Sequence, residues 1–173
     1  MMNKIEETGE QKNIRMMTRY MAWANKLILN DVERIPAAEI VKPRKAVFGS
    51  IVHTLNHIFV IEDIFAAHLE GRTHGYSSRN TDTPPPFEDV KISLQKMDQY
   101  YVDLSNRITI AELNERIDFE FIGGGKGSMT RSEILLHLVN HSTYHRGHVS
   151  DMLFQISYNC AANDLPVFLR DAV

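Results

Sequence analysis

Seven apolar side chains, Phe87, Val90, Leu94, Met97, Tyr101, Leu104 and Ile108, follow one another at steps of three and four residues. A helix with one face turned inward puts all seven on the same side, and a strand would scatter them over both. The same period runs through Ile14, Met17, Met21, Ala24, Ile28, Val32 and Ile35, which predicts a first helix over about 12–35, closed by Pro36. A further helix is expected from about Ser50 to Glu70, with Gly71 where a helix end takes a left-handed residue. Its middle, Ile58 to Ile61, is apolar almost all round and belongs at the centre of a bundle. Thr130 and Glu133 have the spacing of a capping box and open a last long helix, expected to reach about Tyr158.

The segments between these helices carry turn chemistry. Residues 71–86, with Gly71, Gly75 and the run Pro84-Pro85-Pro86, read as a loop. Ile117, Phe119 and Phe121 alternate with their neighbours ahead of Gly123-Gly124-Gly125-Lys126-Gly127, which predicts a short strand and a turn. The glycine run lacks both GxGxxG and a following Lys-Ser/Thr pair, so it reads as a flexible turn and not as a phosphate cradle. Asp164 to Leu169 suggests a short docking helix. The expected fold class is all-α: a four-helix bundle with a small β insertion before the last long helix, in a single domain over 1–173.

Charge and cysteine content narrow the function classes. The formal net charge is -3, and no Lys/Arg run exceeds Arg44-Lys45, so no nucleic-acid surface is expected. No apolar stretch approaches a membrane span, and the polar segment Met1 to Lys12 lacks a signal peptide's apolar region. Cys160 is the only cysteine, which rules out an internal disulfide and a thiolate metal cluster. These features together suggest a soluble protein of the cytoplasm.

Of the eight histidines, His137, His141, His145 and His148 fall within twelve consecutive residues. At about 100° per residue they occupy an arc of roughly 80° on the last helix. His141 and His145, four apart, rise one turn from each other on the same face and suit a shared ion. A third ligand must come from a facing helix, and the second long helix offers His53 and His57. Each histidine taken alone reads more readily as a hydrogen-bonded core residue than as a ligand, but uncompensated imidazoles on a buried stripe cost free energy that a shared metal offsets. His68 and His74 read as surface residues near the loop. The Glu-x-x-His pairs of di-iron bundles, the His-Glu-x-x-His of zinc proteases and a Gly-x-Ser-x-Gly elbow are all missing.

Three stretches carry a resemblance: Tyr20-Met-Ala-Trp23-Ala24-Asn25, Gly49-Ser50-Ile51-Val-His53-Thr54-Leu55-Asn56-His57-Ile58, and His137-Leu-Val-Asn140-His141-Ser-Thr143-Tyr-His145-Arg146-Gly147. They resemble the DinB family of damage-inducible bacterial proteins, the DinB/YfiT-like group, unrelated to the DNA polymerase of the same name. The similarity extends from about Met16 to Arg170. It implies an up-down-down-up four-helix bundle, commonly a homodimer, with a metal held at His57, His141 and His145. His137 matches a family histidine that is not a ligand. Phe65 stands where the family pattern usually has Trp, and His148 where it usually has Gln.

The resemblance implies a metal-dependent enzyme, a thiol-cofactor-dependent S-transferase or a hydrolase of small electrophiles. A low-molecular-weight thiol and a small-molecule substrate would be its partners. The alternative is a non-catalytic metal-binding protein of the stress response, and a third reading has the histidines merely lining the core of a structural dimer. His53 and His148 are the candidate catalytic bases. Imidazole ligands suit Zn, Ni, Fe or Cu, with zinc or nickel expected here. With histidine pKa values near 6.5, proton competition is expected to weaken metal binding between about pH 7.5 and 5.

Overall fold

A computed structural model describes residues 7–172. The N-terminal part of the polar stretch read against a signal peptide lies outside them. In chain order the elements are α1 (Gly9–Glu33), α2 (Ala37–Val41), α3 (Ile51–Glu70), α4 (Phe87–Arg107), α5 (Ile110–Leu113), β1 (Arg116–Glu120), β2 (Lys126–Thr130), α6 (Arg131–Phe154) and α7 (Leu165–Asp171). α1 begins three residues earlier than the apolar period predicts. Thr8 Oγ1 accepts from the Gln11 N–H at 3.2 Å, and the Gln11 side chain accepts from the Thr8 N–H, which makes a capping box.

Polar contacts between α1, α3, α4 and α6 fix their directions. Gln11 reaches the Ile108 carbonyl, Thr18 meets Ser105, Asn25 meets Asp98 and Lys91 meets Glu33, so α1 and α4 are antiparallel. His57 faces His141, Glu62 faces Ser142, and Arg131 reaches the Leu69 carbonyl, so α3 and α6 are antiparallel as well. α1 and α6 run the same way: Asn25 stands beside Arg146, Met21 and Val139 share one apolar cluster, and Ile28 and Val149 share the other. The result is the up-down-down-up bundle that the resemblance implied. Parallel α3 and α4 are joined by the long 71–86 connection.

The interior splits into two apolar clusters. One holds Met21, Ala24, Tyr101 and Val139, and the other Ile28, Leu94 and Val149. A polar layer of Asn25, Glu62, Asp98, Ser142 and Arg146 crosses the bundle between them, and every one of these side chains is buried. Buried polar groups are tolerated only when they partner each other.

Two expectations need correction. The last long helix stops at Phe154 and not at Tyr158: Ser157 takes a left-handed φ of 61° and the chain folds back. The turn lets Tyr158 Oη (3.0 Å) and the Ala161 N–H (2.9 Å) both donate to the buried Asp31 carboxylate. The glycine run is also more than a turn. Gly123, Gly124 and Gly125 make the turn with φ of 93°, 97° and 100°, but Gly127 lies in β2, paired opposite Phe119. The Phe119 ring covers it so closely that a Cβ there would stand 2.5 Å from ring carbons. The strand and turn thus form a complete antiparallel hairpin. The tail helix docks as expected, with Phe168 edge-on to Tyr20 at 5.9 Å. Among the described residues, no helix is long and apolar enough to cross a membrane.

Candidate metal centre

Ser50 caps α3 by accepting from the His53 N–H at 3.2 Å, and this start sets His57 two turns along, facing α6. His141 and His145 approach from α6. One ring nitrogen of each of the three lies within 4.8 Å of those of the other two, and His57 Nε2 and His141 Nε2 are 3.0 Å apart. His57 is 4% exposed and His145 6%, while His141 is half-buried.

The orientation of His57 is fixed from the loop. Its Nδ1 lies 2.7 Å from the Arg79 carbonyl, which can only accept, so Nδ1 carries the hydrogen and Nε2 presents a lone pair to the cluster. Neighbouring α3 side chains hold the same loop. His53 Nε2–H donates to the Thr81 carbonyl at 2.8 Å, and Asn56 Nδ2 donates to Asn80 and Thr81. Phe48 stacks on His57, with centroids 4.0 Å apart, and stands 5.5 Å from His145.

The donor set fits a divalent ion. The Nδ1 atoms of His141 and His145 are buried without a protein partner, so each ring keeps a nitrogen that the surrounding protein does not satisfy. Three imidazoles converging with no carboxylate or thiolate among them suit a divalent transition metal such as zinc, nickel, iron or copper. Burial also keeps them in the ligating, neutral form. It brings the His141 pKa down to about 2, helped by His145, His57 and His137. It lowers His145 to about 4, with His57 and His148 contributing. For His57, burial lowers the value, the Arg79 carbonyl offsets part of this, and the Arg79 guanidinium and His53 lower it again. The proton-competition window expected from ordinary histidines therefore moves downward, below about pH 4 for His141 and His145.

Behind the cluster stands the polar layer. Arg146, 1% exposed, donates from Nη1 to Asn25 Oδ1 at 2.8 Å and from Nη2 to Thr143 Oγ1 at 2.9 Å. Asn25 in turn donates to Asp98 at 2.8 Å, and Ser142 Oγ to Glu62 Oε1 at 2.8 Å. Burial pushes Asp98 up to about 7, and burial and Asp98 together push Glu62 well above the usual carboxylate range.

The remaining histidines divide clearly. His148 lies beside His145, centroids 5.2 Å apart, with a buried Nδ1 that has no partner. His137 stands between Phe65 (5.0 Å) and His141 (5.7 Å). His68 and His74 pair with each other at 5.4 Å, apart from the cluster. His68 is not the bland surface residue expected, because it is half-buried and stacked on Phe119 at 5.0 Å. Sequence reasoning missed Phe48, the Arg79 carbonyl, Glu62 and Asp98. The only available signal was a lone carboxylate beside an apolar stripe, as at Glu62 after Ile61.

A helical bundle with three histidines converging from two facing helices defines a class of metal-site bundle proteins. Within that class, the chain belongs to the DinB family, whose sequence profile it matches over residues 1–172. It is 28% identical over 155 residues to Protein DinB from Bacillus subtilis (strain 168), covering 87% of this chain and 90% of that protein. Its fold also matches the crystal structure of a DinB-like protein from Bacillus cereus ATCC 10987. The TM-score is 0.62 at 16% identity, covering 81% of this chain and 90% of the other.

The lowered histidine pKa values have a consequence for stability. An unfolded histidine takes up a proton near pH 6.5, before these folded ones do, so their contribution is present above that pH and lost as pH falls toward about 4. Asp98 and Glu62, raised on folding, act in the opposite direction. Between pH 7 and pH 5, the metal-free wild type should therefore lose more melting temperature, by on the order of 5 °C, than a His141→Gln/His145→Gln variant. Parallel melting curves for the two proteins would contradict the burial argument.

Proposed function

We propose that His57, His141 and His145 hold one zinc or nickel ion, and that the protein is an enzyme joining a low-molecular-weight thiol to a small electrophile, or hydrolysing one. The observation that carries this reading is the count of ligands. Among the described residues the cluster contains three side chains and no fourth, and a structural zinc site closes with four. A divalent ion held there supplies Lewis acidity and lowers the pKa of a thiol or water at its open position. The chain's own groups do the rest. Phe48 and the packed helices exclude water, and the Arg79 carbonyl keeps His57 turned inward. In the transfer, a sulfur–carbon bond forms, the bond from carbon to its leaving group breaks, and the thiol proton passes to a base. His148, with its unpartnered Nδ1, is the better placed of the two candidate bases; His53 has committed Nε2 to the Thr81 carbonyl. Phe48 lying over His57 favours the second reading, a stress-induced protein that sequesters metal under an apolar lid.

Added zinc or nickel at about a hundredfold above Kd should stabilise the protein by about 2.7 kcal/mol, a rise of roughly 5–10 °C in Tm. His57→Ala, His141→Ala and His145→Ala should each abolish most of that rise, while His68→Ala and His74→Ala keep it. If His141→Ala retains the whole rise, the three-histidine site is wrong, and His137, His145 and His148 become the next set. Metal-loaded protein should consume thiol in the presence of a model electrophile, and His148→Gln should slow this by about a hundredfold. Metal binding without any thiol-dependent or hydrolytic turnover would instead establish sequestration.

We also propose a cytoplasmic homodimer with small-molecule partners and no role at nucleic acid or membranes. Gly147 costs α6 about 1 kcal/mol relative to Ala. Among the described residues, nothing beyond the chain neighbours and the adjacent helix backbone comes within 4 Å of where its Cβ would stand, so no intramolecular contact there accounts for it. The exposed Leu136, Tyr144 and Phe154 lie on the same helix. Light scattering at high micromolar concentration should give twice the chain mass, and a monomer mass would refute the dimer.

A further inference from the structure

Beside the histidines, α3 and the β-hairpin enclose a half-open groove of about 280 Å³. Ile61, Ile64, Phe65, Phe119, Phe121 and Ile122 make its walls apolar. Ile61 lies one helical turn beyond His57 on the same face of α3, about 6 Å along the axis. Phe65 packs on His137, which packs on His141, so the groove wall is continuous with the cluster. The third connection is Arg79, which lines the groove while its carbonyl holds His57.

Arg79 differs from its neighbour in the same loop. Arg72 is neutralised by Asp63 at 2.9 Å and Glu70 at 2.6 Å. The Arg79 side chain is exposed, and among the described residues no carboxylate lies within ion-pair distance of it. A guanidinium left unpaired at the edge of an apolar groove is a ready donor fork for a carboxylate, and that pairing strengthens where apolar walls thin out the water. Its charge is felt in the cluster, where it disfavours a protonated His57. Glu120 on the hairpin also lines the groove, so a dianion such as a phosphate monoester would meet about twice the repulsion that a monoanion meets there.

We propose that this groove binds a small carboxylate with an apolar body, the carboxylate held by the Arg79 guanidinium and the body lying between α3 and the hairpin. The inference deepens the proposed function by naming the chemical class of its small molecule, but the binding itself requires no metal ion. Arg79 is thus a specificity-determining residue, and its side chain acts independently of its carbonyl's hold on His57.

Octanoate and its uncharged counterpart octanamide test this in the full-length protein, titrated by NMR. The wild type should bind octanoate at least fivefold more tightly than octanamide. Arg79→Gln, which keeps the carbonyl, should bring the two affinities within twofold of each other by weakening octanoate alone. Phe121→Ala should weaken both probes by a similar factor. The octanoate preference should persist in His141→Ala, a protein expected to have lost the metal site. A wild type that binds no metal while it keeps the octanoate preference would leave the groove standing and bring down the metal chemistry. Equal affinities in the wild type, an undiminished preference in Arg79→Gln, a preference lost in His141→Ala, or no binding of either probe would each overturn the proposal.

Discussion

A guanidinium shut inside a helical bundle needs polar partners around it, and Arg146 finds them at both Nη atoms, though not at Nε, in a way that sets the orientation of α6. Its hydrogen bonds to Asn25 and Thr143, the Asn25 bond onward to Asp98, and the Tyr20 ring 5.5 Å away tie α6 to α1 and α4. Losing a hydrogen bond to a buried charged group costs about 1.5–3 kcal/mol, so α6 has little freedom to rotate about its axis. Ser142 and Arg146 turn into the polar layer, and the residues immediately before them, His141 and His145, are thereby presented toward α3. The interaction that holds the bundle at mid-height also aims two histidines.

The third histidine depends on a different device. Positions 53, 56 and 57 of α3 all bond to the 79–81 segment, so an exposed connection between parallel helices is fastened at the one place where its backbone oxygen is needed. That fixes the tautomer of His57 before any ligand arrives. A loop recruited in this way brings a side chain with it, and Arg79 stands at the junction of cluster and groove. Fold, cluster and groove are therefore coupled through two arginines, one buried and serving through its side chain, the other exposed and serving the cluster through its backbone.

The four long helices were legible because burial along one face repeats at the helical period, as in Val90, Leu94, Tyr101 and Ile108. His141 and His145 were legible for the same reason, and the family resemblance chose His57 over His53, a choice that spacing alone left open. The end of α6 was not legible, because it is set by Asp31, more than a hundred residues away, drawing Tyr158 and Ala161 back. Phe48 and Arg79 sit in connections that carry no period, so no pattern could place them against His57. Glu62 and Asp98 lie beside ordinary apolar stripes and look like surface charges until Arg146 is seen between the helices. The histidine pKa values depend on burial depth, which composition does not carry, and so the expected pH window was displaced.

X-ray absorption at the metal edge of zinc-loaded protein tests the central claim most directly, since it counts ligands without reference to stability or turnover. The account predicts three imidazole shells with Zn–N near 2.0–2.1 Å and one or two further light-atom ligands of water type. A sulfur shell near 2.3 Å would implicate Cys160, and fewer than three imidazoles would mean that the convergence of His57, His141 and His145 is a packing feature of the core; either result would contradict it.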